Sequence, residues 1–296
     1  MNWTSQDKVI VQGITEPQAA FYAQQMKAGS TDIVAGVSPG NGGTEVGDIP
    51  VFDLVEQVLT QVDKIDISLI FVDSYQVLDA AREAIAAGIR HIIIFTPEVP
   101  PLDTIEIIKY AKASDTLILG PGSHGIVIPQ QVCLSKLQSQ AYQSGTIGTI
   151  TTSQYLSYEV ATELNQADLG HSIVVSLGND RIIGSNLPQW LEILDRDPDT
   201  KAIVSIGQRI TETEEIVTYC QERDYDKPII VYLAGLKVPQ EQIFRDAQTI
   251  ITNHLSASIP AVNRDRQTID RLKKAGIKIA KKPSDIPRLI QKAWSK

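Results

Sequence analysis

The stretch KVIVQGITEPQAAFYAQQMKAGSTDIVAGV, residues 8–37, decides the fold. It opens with a β-branched apolar run from Lys8 to Gly13, continues as a helix-length segment from Pro17 to Gly29, and closes with a second apolar run from Asp32 to Val37. Two strand-length runs flanking a helical segment predict a parallel βαβ unit, because parallel neighbours need a crossover long enough to hold a helix. The same alternation recurs downstream. SLIFVD (68–73), HIIIF (91–95) and TLILG (116–120) read as strands, with helices predicted from Ala80 to Gly88 and from Leu102 to Ala113. A Rossmann-like sheet is the economical solution. A polar connection with little periodicity follows from about Pro129 to Gly145, and then the pattern restarts with TIGTIT (146–151), SIVVSLG (172–178), AIVSIG (202–207), PIIVYLAG (228–235) and IKIA (277–280). The expected architecture is therefore α/β throughout, with a Rossmann-like domain over 1–130 and a flavodoxin-like domain over 145–296.

Composition sets the outer limits. A chain of 296 residues with 43% hydrophobic and 21% charged residues has the balance of a globular protein able to bury two cores. No apolar run approaches the roughly 18 residues of a membrane span, and MNWTSQDKV at the start has neither a basic nor an apolar leader region, so a cytoplasmic protein with no membrane role is expected. The formal charge of -8 and the lack of a basic block argue against nucleic acid as a partner. Cys133 and Cys220 show no metal-ligand or redox spacing, and no metal is expected.

A further signal comes from KPIIVYLAGLKVPQEQIFRDAQTII (227–251), from GVSPGNGGTEVGDIPVFDLV (36–55), LGPGSHGIVIP (119–129), SLGNDRIIGSN (176–186) and DPDTKAIVSIG (197–207). These segments, with VQGITEPQAAFYAQQM (11–26), resemble the alpha subunit of succinate-CoA ligase, and the match runs nearly continuously from Val9. The resemblance implies an N-terminal CoA-binding-type domain and a C-terminal ligase-type domain. That family makes a CoA thioester with a nucleoside triphosphate through a phosphohistidine, working with a beta subunit.

The departures from the family pattern fall in the loops that carry its chemistry. Asp246 stands where the family keeps the phosphate-carrying histidine, and a carboxylate has no imidazole nitrogen to phosphorylate. Gln208 replaces the glutamate that orients that histidine. Where the resemblance implies a CoA pyrophosphate beside Thr15, the chain continues Glu16, Pro17, Gln18: a carboxylate where an anion belongs, then a residue with no N–H. Two like charges at about 4 Å repel by about 1 kcal/mol even in water. The plainer reading is that Glu16 and Pro17 start a helix, a role each suits. Asn41 replaces a lysine, removing a charge-assisted contact of about 1.5–3 kcal/mol. Thr96 and Pro97, followed by Glu98, replace Thr-Glu-Gly, and Gly122, Ser123 and His124 replace Asn-Cys-Pro. In the second domain Ser153 survives from a phosphate-holding turn, but a glycine has become Gln154; Ser153 reads most simply as a helix cap, and Tyr158 matches a tyrosine near the site shared with the beta subunit.

Catalytic residues are thus expected to be absent in intact form, and whether the chain is an enzyme stays open at this point. No cofactor is certain, and CoA is expected to bind weakly if at all. The first expectation is a non-catalytic alpha-subunit-like protein that binds or assembles with a beta-type ligase subunit or with itself. The alternatives are an active acyl-CoA ligase subunit with an altered mechanism, and a small-ligand sensor taking a nucleotide or CoA.

Overall fold

The computed structural model describes residues 3–29, 31–207, 210–222, 225–234 and 264–295. Strand β1 (Lys8–Gln12) leads into helix α1 (Pro17–Ala28), and β2 (Asp32–Val37) returns parallel to β1, pairing Lys8 with Asp32 and Gln12 with Val37. The chain then makes a small antiparallel pair, β3 (Glu45–Val46) and β4 (Ile49–Phe52), with β4 parallel to β2. A single turn, α2 (Val55–Val58), precedes β5 (Ile67–Ile70), α3 (Val77–Ala86), β6 (His91–Ile94), α4 (Pro101–Ala113) and β7 (Leu117–Leu119). The sheet order is β3-β4-β2-β1-β5-β6-β7, so successive strands progress in opposite directions on the two sides of β1. Strands this apolar suit a parallel sheet covered on both faces. All four residues of β5 are buried, and α3 buries Val77, Ala80, Ala81, Ala84 and Ile85, the spacing of one helix face. That helix begins three residues before the expected Ala80.

The second sheet starts earlier than its sequence announces. β8 (Gly125–Ile128) and β9 (Val132–Ser135) form an antiparallel hairpin, and β8 pairs antiparallel with β11 (His171–Ser176). The polar connection expected from Pro129 to Gly145 is corrected accordingly, and residue 130, the expected border, lies in the hairpin turn, where Gln130 has φ 65°. Four-residue strands are too short for alternation to register, although Val132 and Leu134 are both buried. The parallel part follows: β10 (Ser144–Thr151), α5 (Gln154–Gln166), β11, α6 (Leu187–Arg196), β12 (Ala202–Gly207), α7 (Ile210–Glu222), β13 (Ile229–Leu233), α8 (Arg264–Lys274), β14 (Lys278–Ala280) and α9 (Ile286–Trp294). The order is β14-β13-β12-β10-β11-β8-β9. α6 carries a reciprocal cap, in which Asn186 Oδ1 accepts from Gln189 N and Gln189 Oε1 accepts from Asn186 N, both at 3.0 Å. Below it Leu187, Trp190, Leu191 and Leu194 face the core.

The two sheets share packing. Ala19, Ala23 and Met26 of α1 belong to the same apolar cluster as Ile126, Val132 and Leu134 of the hairpin. Thr31 Oγ1 donates to Cys133 O at 2.8 Å, and Lys136 Nζ donates to Phe95 O at 3.3 Å while lying 5.4 Å above the Phe95 ring. Gly120 N donates to Leu177 O at 3.0 Å and Gly184 N to Gly120 O at 2.7 Å. Asp180, from the second domain, receives Glu98 N on one carboxylate oxygen at 2.9 Å and Val99 N on the other at 3.0 Å. Among the described residues no helix is long and apolar enough to cross a membrane.

Candidate functional site

A crevice of about 630 Å³ opens beyond the carboxyl ends of β1, β2 and β5. This is where strand progression reverses, the position at which open α/β sheets receive ligands. Thr15, Glu16, Ser38, Asn41, Asp79 and Glu83 provide its polar lining. Their hydrogen bonds are largely internal. Thr15 Oγ1 and Ser38 Oγ lie 2.7 Å apart, and Asn41 Nδ2 donates to Ser38 Oγ at 3.1 Å. The floor is a buried amide network: Ser68 Oγ donates to Gln12 Oε1 at 2.7 Å, Gln12 Nε2 donates to Ala80 O at 3.0 Å, and Glu83 Oε1 accepts from Val55 N at 2.7 Å.

The glycine loop at the crevice rim is also occupied from within. Asp53 Oδ1 accepts from Gly40 N at 2.7 Å and from Gly42 N at 3.0 Å. Gly42 must be glycine for this approach, since a Cβ there would stand 2.5 Å from Asp53 Oδ2. At the neighbouring rim Gly13 N donates to Val37 O and Glu16 N to Gly13 O. Three carboxylates, Glu16, Asp79 and Glu83, line the crevice, and no lysine or arginine is among its described lining residues.

A second hollow of about 400 Å³ adjoins it, and Glu16 borders both. Pro17, Gln18, Thr96 and Pro97 line this hollow with Phe71 and Phe95, whose rings stack at 4.4 Å. Thr96 Oγ1 donates to Val72 O at 2.6 Å. The structure thus gathers Thr15, Glu16 and Asn41 at one cavity and Glu16, Pro17, Gln18, Thr96 and Pro97 at the next. Pro17 is the first residue of α1 and Glu16 the extended residue before it, with no side-chain capping bond.

In the second domain Ser153 caps α5, accepting from Leu156 N at 3.5 Å. The Tyr158 hydroxyl accepts from Gln138 N at 2.9 Å and from Gln154 Nε2 at 3.4 Å, which ties α5 to the chain leaving the hairpin. His124 sits in the loop entering β8, its backbone N–H donating to Ser176 Oγ at 3.1 Å. Burial, reinforced by the Lys136 ammonium, pushes its imidazole down to about 4. Asp246 and Gln208 lie outside the described residues. Asp53, Asp180, Gln12 and Glu83 were not singled out by sequence; their bonds join positions 11 to 82 residues apart and leave no local pattern.

A CoA binding domain model matches residues 4–98, and a succinyl-CoA ligase like flavodoxin domain model matches residues 144–256. Over 283 residues the chain is 34% identical to the alpha 2 subunit of an ADP-forming succinate-CoA ligase from Archaeoglobus fulgidus, covering 96% of each. The chain belongs to the succinate-CoA ligase alpha-subunit family. It is also 31% identical to a subunit of an ADP-forming sulfoacetate-CoA ligase from an Acholeplasma species, over 96% of this chain and 95% of that one. An ATP citrate lyase from Methanosaeta concilii superposes with a TM-score of 0.80 at 17% identity, over 100% of this chain and 50% of its own, and shares the fold. The chain thus spans about half the length of that lyase. In this ligase family setting, the crevice lies within the segment matched by the CoA binding model, whereas Ser153 and Tyr158 lie within the ligase-like segment.

Proposed function

We propose that this chain is an alpha-subunit-like protein of the succinate-CoA ligase family that neither carries phosphate nor binds CoA in the family's manner, and that it acts in the cytoplasm as a binding or assembly partner. The observation that carries this reading is the crevice, where Glu16, Asp79 and Glu83 face the space and no described lysine or arginine does. A polyphosphate there would meet like charge, and Pro17 has no N–H to offer it. Asp246 at the position of the family's carrier histidine and Gln208 at that of its orienting glutamate support the same reading from the sequence. The partner is a beta-type ligase subunit or a second copy of the chain, as the named relatives are themselves ligase subunits.

Two measurements test it. Calorimetric titration with CoA is expected to give no low-micromolar binding. Incubation with radiolabelled ATP or GTP and a beta-type subunit is expected to leave this chain without an alkali-stable label. Either signal, low-micromolar CoA or an alkali-stable phosphate, would overturn the reading. A second reading, a small-ligand sensor, is favoured by one specific observation: the crevice stays open at about 630 Å³, within the range of ligand sites.

A further inference from the structure

The crevice supplies its own anions at the places where a phosphorylated ligand would bring them. Asp53 already takes the Gly40 and Gly42 amides, the two N–H groups of the glycine loop that would cradle a phosphate. Asn41 Nδ2 is spent on Ser38 Oγ, and the Gly13 and Glu16 amides on backbone carbonyls. Glu16 places a carboxylate at the positive end of α1, where an anion is most favoured. These donors are therefore satisfied from within, while the carboxylates of Glu16 and Asp79 are exposed at the cavity wall. Between them the walls are apolar: Val37, Pro39, Leu54 and Val72. An apolar slot of this size at the sheet's switch point suits a planar base, and its rim suits a positive charge.

We infer that the crevice selects a nucleoside-sized ligand bearing a cationic group and no phosphate, with Glu16 and Asp79 as the specificity-determining residues. This rests on the reading that CoA is no longer the ligand of this site. It goes further, because loss of CoA binding alone would leave no preference for positive charge.

The test is an isosteric series titrated into the full-length protein by calorimetry at low ionic strength: 5′-amino-5′-deoxyadenosine, adenosine, AMP and ADP. The expected order is amine tightest, then adenosine, then AMP, then ADP, with at least about a tenfold gap between amine and AMP, since moderate Coulomb terms at a rim exceed that at low salt. The gap should shrink as salt is added. Glu16→Gln with Asp79→Asn should bring amine and AMP within about threefold of each other, and both positions are exposed, so folding is checked simply by an unchanged melting temperature. AMP or ADP binding as tightly as the amine overturns the inference, and so does absence of binding by all four. An unchanged gap in the double variant removes these two residues from the role. The outcomes separate from those for function. A phosphate label on a protein that still prefers the amine sinks the non-catalytic reading alone; no label and no preference for the amine sinks this inference alone.

Discussion

Asp180 and His171 show how single side chains hold this molecule. Asp180 receives two adjacent backbone N–H groups from across the domain boundary. Charge-assisted bonds of this kind leave costly orphans when removed, so Asp180→Ala should destabilise by about 1–3 kcal/mol, read from urea unfolding. Asp180→Asn, which keeps one acceptor, should lose less. His171 is buried with Nδ1 against Thr149 Oγ1 at 3.1 Å, and burial pushes its imidazole down to about 3 from 6.5. Between those two values the unfolded chain binds a proton that the folded chain refuses, so stability rises with pH there and falls as pH drops below about 6.5. At about 1.4 kcal/mol per pH unit for one such proton, melting temperatures measured from pH 7 to 4.5 should decline, and His171→Gln should flatten the slope. A steeper or unchanged slope in the variant would contradict this. Residue positions were half legible. The crevice residues Thr15, Glu16 and Asn41 came from the sequence, but Asp53 and Asp180 did not, because an acceptor's partner amides carry no residue identity.

At the level of elements, the apolar strands of the parallel succession were legible, down to β7 and β14 of three residues, and the strands of the two antiparallel pairs were not. β2 and β12 sit where their apolar runs placed them. β3, β4, β8 and β9, of two to four residues, escaped, since their positions are set by pairing with neighbours rather than by period. α3 starts at Val77 because Asp73 Oδ1 accepts from Tyr75 N at 3.1 Å, a local turn that delivers the helix early. The hairpin depends on Gly125, which has φ 90° and would drive an added Cβ into Leu134 O and Ser135 Cα. Gly125→Ala is therefore expected to cost about 2 kcal/mol or more, with hydrogen exchange accelerating first in residues 125–135. Exchange that is unchanged in the hairpin would show that the strain is absorbed elsewhere.

Over the whole molecule, two domains were expected and two sheets are present, yet the apolar cluster runs through both, joining α1 to the β8–β9 hairpin. Calorimetry should accordingly give one unfolding transition with matching van't Hoff and calorimetric enthalpies; two resolved transitions would mean that the shared packing contributes little. The sequence could not announce this, since hydrophobic period locates a face without saying which sheet will cover it. The Asp180 clamp has one more consequence. It grips Glu98 and Val99, the residues directly after Pro97 at the lip of the smaller hollow. Any molecule that must displace that lip to enter works against the clamp, and so against a residue belonging to the other half of the protein. By thermodynamic reciprocity, a partner that loosens the clamp from the far side must then strengthen that molecule's binding by the same factor with which the molecule strengthens the partner's.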